Sequence, residues 1–136
     1  MKFFTVGYGN RPPEVFLEIL QGAAIRTVID IRYKPVGRIS SYTKTKSADK
    51  GIQGLLSSRG IAYLWLGELG NPFKDDDDWR TEYPPVLAAA WESARPKILM
   101  ADGPACIMCG CQKVAACHRE YVANLLIQRG HEVLHL

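Results

Sequence analysis

The chain has 136 residues, 47% hydrophobic and 23% charged, which fits one globular domain with its own core. A formal net charge of +3 makes no strong electrostatic case for nucleic-acid binding and suits an anionic small molecule about as well. No apolar run reaches the length of a membrane span, and Met1 to Gly7 lacks the long apolar run and cleavage site of a signal peptide.

Phe3 to Val6 reads as a buried first strand that ends in the loop Gly7-Tyr8-Gly9-Asn10-Arg11. Pro12 and Pro13 open a helix whose apolar residues Val15, Phe16, Ile19 and Leu20 recur at helical spacing until Gly22. Thr27 to Ile31 is β-branched and apolar on both faces, as in a buried parallel strand. From Arg32 to Lys50 no apolar period appears; this is a long loop carrying Arg32, Lys34, Arg38, Lys44, Lys46 and Lys50. A short helix around Leu55 and Leu56 follows, then a third strand over Ile61 to Leu66 and a turn through Gly67 to Pro72.

The acidic run Asp75 to Asp78 precedes a helix expected to begin at Pro84-Pro85 and to be interrupted at Pro96. Lys97 to Ala101 fits a strand or a helical turn equally. Ala105 to Cys109 is a buried strand and Gly110 to Ala116 a loop. His118 to about Arg129 is a helix with Val122, Leu125, Leu126 and Arg129 on one stripe and Gly130 as its stop. Glu132 to Leu136 is a last short strand. This order predicts an α/β fold: a single-domain, Rossmann-like three-layer sandwich over residues 1–136, with a mostly parallel sheet. Ligands bind such sheets beyond the carboxyl ends of the strands. The loops there are Gly7 to Arg11, Arg32 to Arg38, Gly67 to Asn71 and Gly110 to Cys117.

All four cysteines, Cys106, Cys109, Cys111 and Cys117, stand just ahead of the last helix, beside His118 and Arg119. Such clustering, with no export signal, leads us to expect a reducing cytoplasm. Cys106 and Cys109 would point to opposite faces of one strand, which rules out a redox pair despite their Cys-x-x-Cys spelling.

Several segments carry a resemblance. In order they are Thr5 to Arg11, Val28 to Arg32, Pro35 to Arg38, Gly60 to Tyr63, Glu68 to Gly70, Met108-Cys109, Cys117-His118-Arg119 and His135-Leu136. Their ordered set resembles the DUF488 family of small α/β proteins. The resemblance implies the fold and the place of the site, and no reaction. It also marks departures. Tyr8 stands where the family often has histidine, Pro12 where it often has serine, and Gly110-Cys111 where it tends to have a small residue and a glutamate.

The leading expectation is an anion site at the strand ends, for a phosphate- or carboxylate-bearing ligand, a nucleotide among them, with an enzymatic step on it conceivable. Free N–H groups at the start of the last helix and the planar fork of Arg119 favour an anion. Gly7, Tyr8, Asn10, Arg11, Arg32, Arg38 and Arg119 are the candidate ligand-binding residues. Cys117, a thiol at a helix start, is the candidate nucleophile, with His118 as acid or base and Asp30 orienting the substrate. Arg119 follows Cys111 by eight positions, so the cysteine-phosphatase loop is absent. The alternative is a metal or thiol-redox site on Cys109, Cys111 and Cys117, with His118 as a fourth donor to a tetrahedral zinc. A third reading is a nucleic-acid or protein interaction module using the Arg32 to Lys50 loop. The sequence names no cofactor and no oligomeric state.

Overall fold

The computed structural model describes residues 1–136. Five strands form one all-parallel sheet: β1 (Lys2–Gly7), β2 (Thr27–Asp30), β3 (Ala62–Trp65), β4 (Ala105–Cys109) and β5 (Glu132–His135), in the order β3-β2-β4-β1-β5. The three inner strands are buried on both faces apart from Lys2, which explains their continuous apolar runs. Strand alternation divides the core in two. Phe3, Ile29, Ala105, Ile107 and Cys109 face one side; Phe4, Val6, Val28, Cys106 and Met108 face the other.

Four helices cover the two faces. α1 (Pro13–Gly22) and α2 (Gly51–Ser57) bury Phe16, Leu17, Leu20, Ile52 and Leu56 against the Val6 side. α3 (Trp79–Met100) and α4 (Arg119–Gln128) bury Tyr83, Leu87, Trp91, Ile98, Val122 and Leu126 against the Phe3 side. The architecture is therefore a three-layer α/β domain. No helix is long and apolar enough to cross a membrane.

Three local expectations are corrected. The helix expected from Pro84 starts earlier, at Trp79, and runs unbroken through Pro96 and the ambiguous Lys97–Met100 segment. Prolines 84, 85 and 96 withhold donors from the carbonyls of Arg80, Thr81 and Glu92, but Pro85 and Pro96 are exposed, so water can take those carbonyls, and the buried residues Tyr83, Leu87, Trp91, Ala94 and Ile98 hold the helix to the sheet. The loop from Arg32 to Lys50 contains a 3-10 turn at Ser40–Tyr42 that sinks Tyr42 into the core. Arg129 is off the buried stripe of α4; it is exposed and pairs with Glu92 at 3.1 Å. Gly130, at φ 88°, supplies the left-handed residue that ends α4, as expected.

Candidate functional site

Strands β1 and β2 lead into helices on one face of the sheet, and β4 leads into α4 on the other. Because β4 lies between β2 and β1, its exit loop parts from both neighbours, and a cleft of about 510 Å³ opens at the strand carboxyl ends. Tyr8 and Arg32 line one wall, Asn71 and Trp79 another, and Cys111, Cys117 and His118 the sulfur-bearing side. The exposed Lys34, Lys74 and Asp75 also line it.

Cys109 ends β4, Cys111 follows on the loop, and Cys117 precedes α4. The three sulfurs lie within 4.8 Å of one another, Cys109 and Cys117 buried and Cys111 exposed. All four cysteines are free, and the Cys109 and Cys117 sulfurs are 2.7 Å apart. Hydrogen bonding with Cys109 and Cys117, and then the charge of Arg119, push the Cys111 thiol far below the ordinary range. Sharing with Cys111 and Cys117, reinforced by burial, pushes Cys109 up. The Arg119 backbone N–H, at the start of α4, donates to the Cys117 sulfur at 3.4 Å. Cys106 faces the opposite side of the sheet, and burial raises its thiol well above the ordinary range. It is a core residue, as strand alternation predicts.

The loop is held down by a close approach. Gly7 lies under it, and a Cβ there would fall 1.6 Å from the Cys111 carbonyl oxygen. Only glycine fits at this end of β1.

His118 is anchored on both sides. Its Nε2 lies 2.9 Å from the Ile31 carbonyl oxygen, so that nitrogen carries the proton and donates. The other nitrogen, Nδ1, then keeps a lone pair and faces the Cys117 sulfur at 3.6 Å. The buried Tyr83 ring meets the imidazole edge-on with centroids 5.4 Å apart. Burial lowers the His118 pKa, which favours the neutral ring.

Arg32 and Asp30 do meet, but as a buried network. The Asp30 carboxylate accepts from Arg32 Nε at 2.9 Å, Arg32 Nη2 at 2.7 Å and Tyr63 Oη at 2.6 Å. Arg32 Nη1 donates to the Tyr42 carbonyl at 2.6 Å and to Tyr8 Oη at 3.1 Å. Burial opposes the charged guanidinium, and Asp30 more than offsets that, so Arg32 is held protonated. Its fork is nearly saturated by the protein itself. Tyr8 stacks on Tyr42 with ring centroids 4.3 Å apart, a platform on the cleft wall.

Arg119 is elsewhere. It is 0% exposed and is not part of the cleft wall. One nitrogen, Nη2, donates to the Gln112 carbonyl at 3.3 Å, while Nε and Nη1 have no partner. No carboxylate pairs with it. Arg38 is exposed and outside the cleft, as is Asn10, which takes a left-handed conformation at φ 58°. Arg11 accepts a bond from Tyr42 Oη through its carbonyl, and its Nη1 is buried without a partner. The structure thus gathers Cys109, Cys111, Cys117 and His118 in one place and spreads the arginines over several.

A family model described as "domain of unknown function DUF488" matches residues 12–126. The chain belongs to the DUF488 family. No curated protein and no solved structure matches it. The DUF488 match takes in Asp30, Arg32, the four cysteines, His118 and Arg119; the Gly7 to Arg11 loop lies before it. The segment Gly60 to Tyr63, inside the matched region, contributes a site residue not foreseen from the sequence: Tyr63. Its hydroxyl reaches Asp30 because β3 pairs with β2 in a register that sets Tyr63 beside Val28, on the same face as Asp30. That requires the strand order, which no single segment reveals. Lys34 and Asn71 do lie in the strand-end loops expected to face a ligand, Arg32 to Arg38 and Gly67 to Asn71, whereas Trp79 and Lys74 lie outside those loops and reach the cleft only through the fold.

Proposed function

We propose that Cys109, Cys111, Cys117 and His118 bind one soft metal ion on the floor of the cleft. The observation that carries this reading is the convergence of three sulfurs within 4.8 Å, beside an imidazole lone pair. Tetrahedral coordination with Zn–S near 2.3 Å and Zn–N near 2.0–2.1 Å separates sulfur from nitrogen by about 3.6 Å. Cys117 Sγ and His118 Nδ1 are already at 3.6 Å. The proton on Nε2, held by the Ile31 carbonyl, provides the outer support that fixes a ligating histidine in its tautomer. The Cys109 and Cys117 sulfurs, at 2.7 Å, would have to spread by about 1 Å to reach the tetrahedral sulfur–sulfur edge of about 3.8 Å. Cys117, on the connection between a 3-10 turn and α4, can supply that movement.

An anionic small ligand is the class the cleft would admit above the ion, between Lys34 and Lys74. This keeps the anion expected from the sequence while moving its cations from Arg119 to the lysines. The test is elemental analysis of protein purified with reductant and without chelator. One equivalent of a zinc-class ion per chain, lost on treatment with a strong chelator, supports the reading. Absence of metal, persisting after incubation with zinc and desalting, contradicts it.

The 2.7 Å approach of Cys109 and Cys117 favours a second reading, a dithiol that closes to a disulfide. The two thiols would give up two electrons and two protons to a peroxide or disulfide substrate, forming one S–S bond. Mass spectrometry after mild oxidation with hydrogen peroxide would find a Cys109–Cys117 crosslink; its absence removes this reading.

A further inference from the structure

Resting on the metal reading above, we infer that the buried guanidinium of Arg119 is the counter-charge of the metal centre, and that the centre is built for a divalent ion with three thiolates.

A charge removed from water needs a partner, because an isolated buried ion costs several kcal/mol. Arg119 is 0% exposed, and Nε and Nη1 have no hydrogen-bond acceptor. No aspartate or glutamate oxygen lies within 4.0 Å of it. A guanidinium does not escape the cost by losing its proton. The loop that Arg119 holds carries groups able to take negative charge, the sulfurs of Cys111 and Cys117. Arg119 stands two residues after Cys117, its backbone N–H points at the Cys117 sulfur, and Nη2 holds the Gln112 carbonyl, one residue beyond Cys111. The guanidinium therefore lies beneath the loop that presents the thiols.

The charge balance then selects the ion. Thiolate-rich sites accept both monovalent copper and divalent zinc. A divalent ion with three thiolates and a neutral imidazole carries one net negative charge, which Arg119 cancels. A monovalent ion would carry two, and one would stay buried without compensation. The guanidinium thus supports the site from behind and leaves the cleft face to solvent, where Cys111 is exposed.

The test uses the full-length, reduced, metal-free protein and Zn²⁺ as the probe, with affinity measured by competition against a chromophoric chelator at fixed pH and salt. Arg119→Met removes the charge and keeps an unbranched apolar stem, and Arg119→Lys keeps the charge. The expectation is a loss of ~10–100-fold in Zn²⁺ affinity for Arg119→Met, the range typical of outer-sphere support, and a change of only a few-fold for Arg119→Lys. The zinc-induced rise in melting temperature should shrink in Arg119→Met and persist in Arg119→Lys. Where Arg119→Met does not fold, Arg119→Gln, which is uncharged but polar, carries the same expectation. Equal Zn²⁺ affinity in the native protein and the uncharged variant, or a fall in melting temperature that is the same with and without zinc, would make Arg119 merely structural and overturn the inference. Native protein that binds no Zn²⁺ at all would instead remove the metal reading beneath it.

Discussion

Asp30→Asn tests whether the pair at the end of β2 is structural or free to take a ligand. Asp30 is fully buried and Arg32 is 6% exposed. The carboxylate receives two Arg32 nitrogens and the Tyr63 hydroxyl, and the Arg32 backbone N–H at 3.0 Å. Asparagine keeps the shape, replaces one acceptor by a donor, and leaves the guanidinium with no counter-charge. Removing one partner of a buried pair costs ~3–5 kcal/mol. With an unfolding entropy of about 2.1 cal/mol/K per residue, that corresponds to a melting-temperature fall of roughly 10–18 °C for a chain of this length. Circular dichroism melts of the reduced protein, paired with urea titrations to check that the m-value holds, would measure it. A fall of less than about 3 °C would mean that Arg32 is not bound up in this network, and that the cleft has a free guanidinium after all.

Further outcomes follow from the same geometry. Gly7→Ala places a methyl 1.6 Å from the Cys111 carbonyl oxygen; the loop has to move, so cobalt or zinc binding should be lost even where circular dichroism shows a retained sheet. Metal binding that survives unchanged would show that the loop is not pinned by β1. In metal-free, reduced protein, iodoacetamide should label Cys111 first and leave Cys106 unlabelled until unfolding, since Cys111 is exposed and Cys106 is not; peptide mass spectrometry reads the order, and early labelling of Cys106 would contradict it. Arg38→Ala, on an exposed side chain outside the cleft, should change stability by no more than ~0.5 kcal/mol and leave metal affinity untouched. A large effect on either would place Arg38 in a site that the geometry does not show.

Much of the fold can be read from the chain. Buried strands of a parallel sheet announce themselves by continuous apolar runs, as in Phe3–Val6 and Ala105–Cys109, and helix stops by glycine, as at Gly130. α3 was legible only in part, because proline weighs heavily in a local reading while tertiary burial of Tyr83, Leu87 and Trp91 decides the outcome. Arg119 teaches more. Read as a helix-start arginine it promises an exposed anion clamp. Read by spacing, it stands three, four and seven residues before Val122, Ala123 and Leu126, all buried, so helical periodicity already puts it on the inner face. The cysteine cluster was visible as a cluster, but its geometry was not. Cys109 and Cys111 are tied to β4, and Cys117 returns to them only because the loop folds back over Gly7 and the end of β1. The Asp30–Arg32 pair was legible as two neighbours on a strand end; Tyr63 and Tyr42, which complete it, come from distant segments that only the strand order and a 3-10 turn bring in.

The most direct test of the central claim is a cobalt titration of the reduced, metal-free protein, followed by absorption spectroscopy. A tetrahedral, sulfur-rich centre gives an intense thiolate-to-cobalt charge-transfer band and strong visible d–d bands. These should saturate at one equivalent and collapse in Cys111→Ser and in Cys117→Ser, while Cys106→Ser, on the opposite face of the sheet, keeps them. A spectrum no different from hydrated cobalt, or one that survives loss of Cys111 and Cys117, would contradict a metal centre at this site.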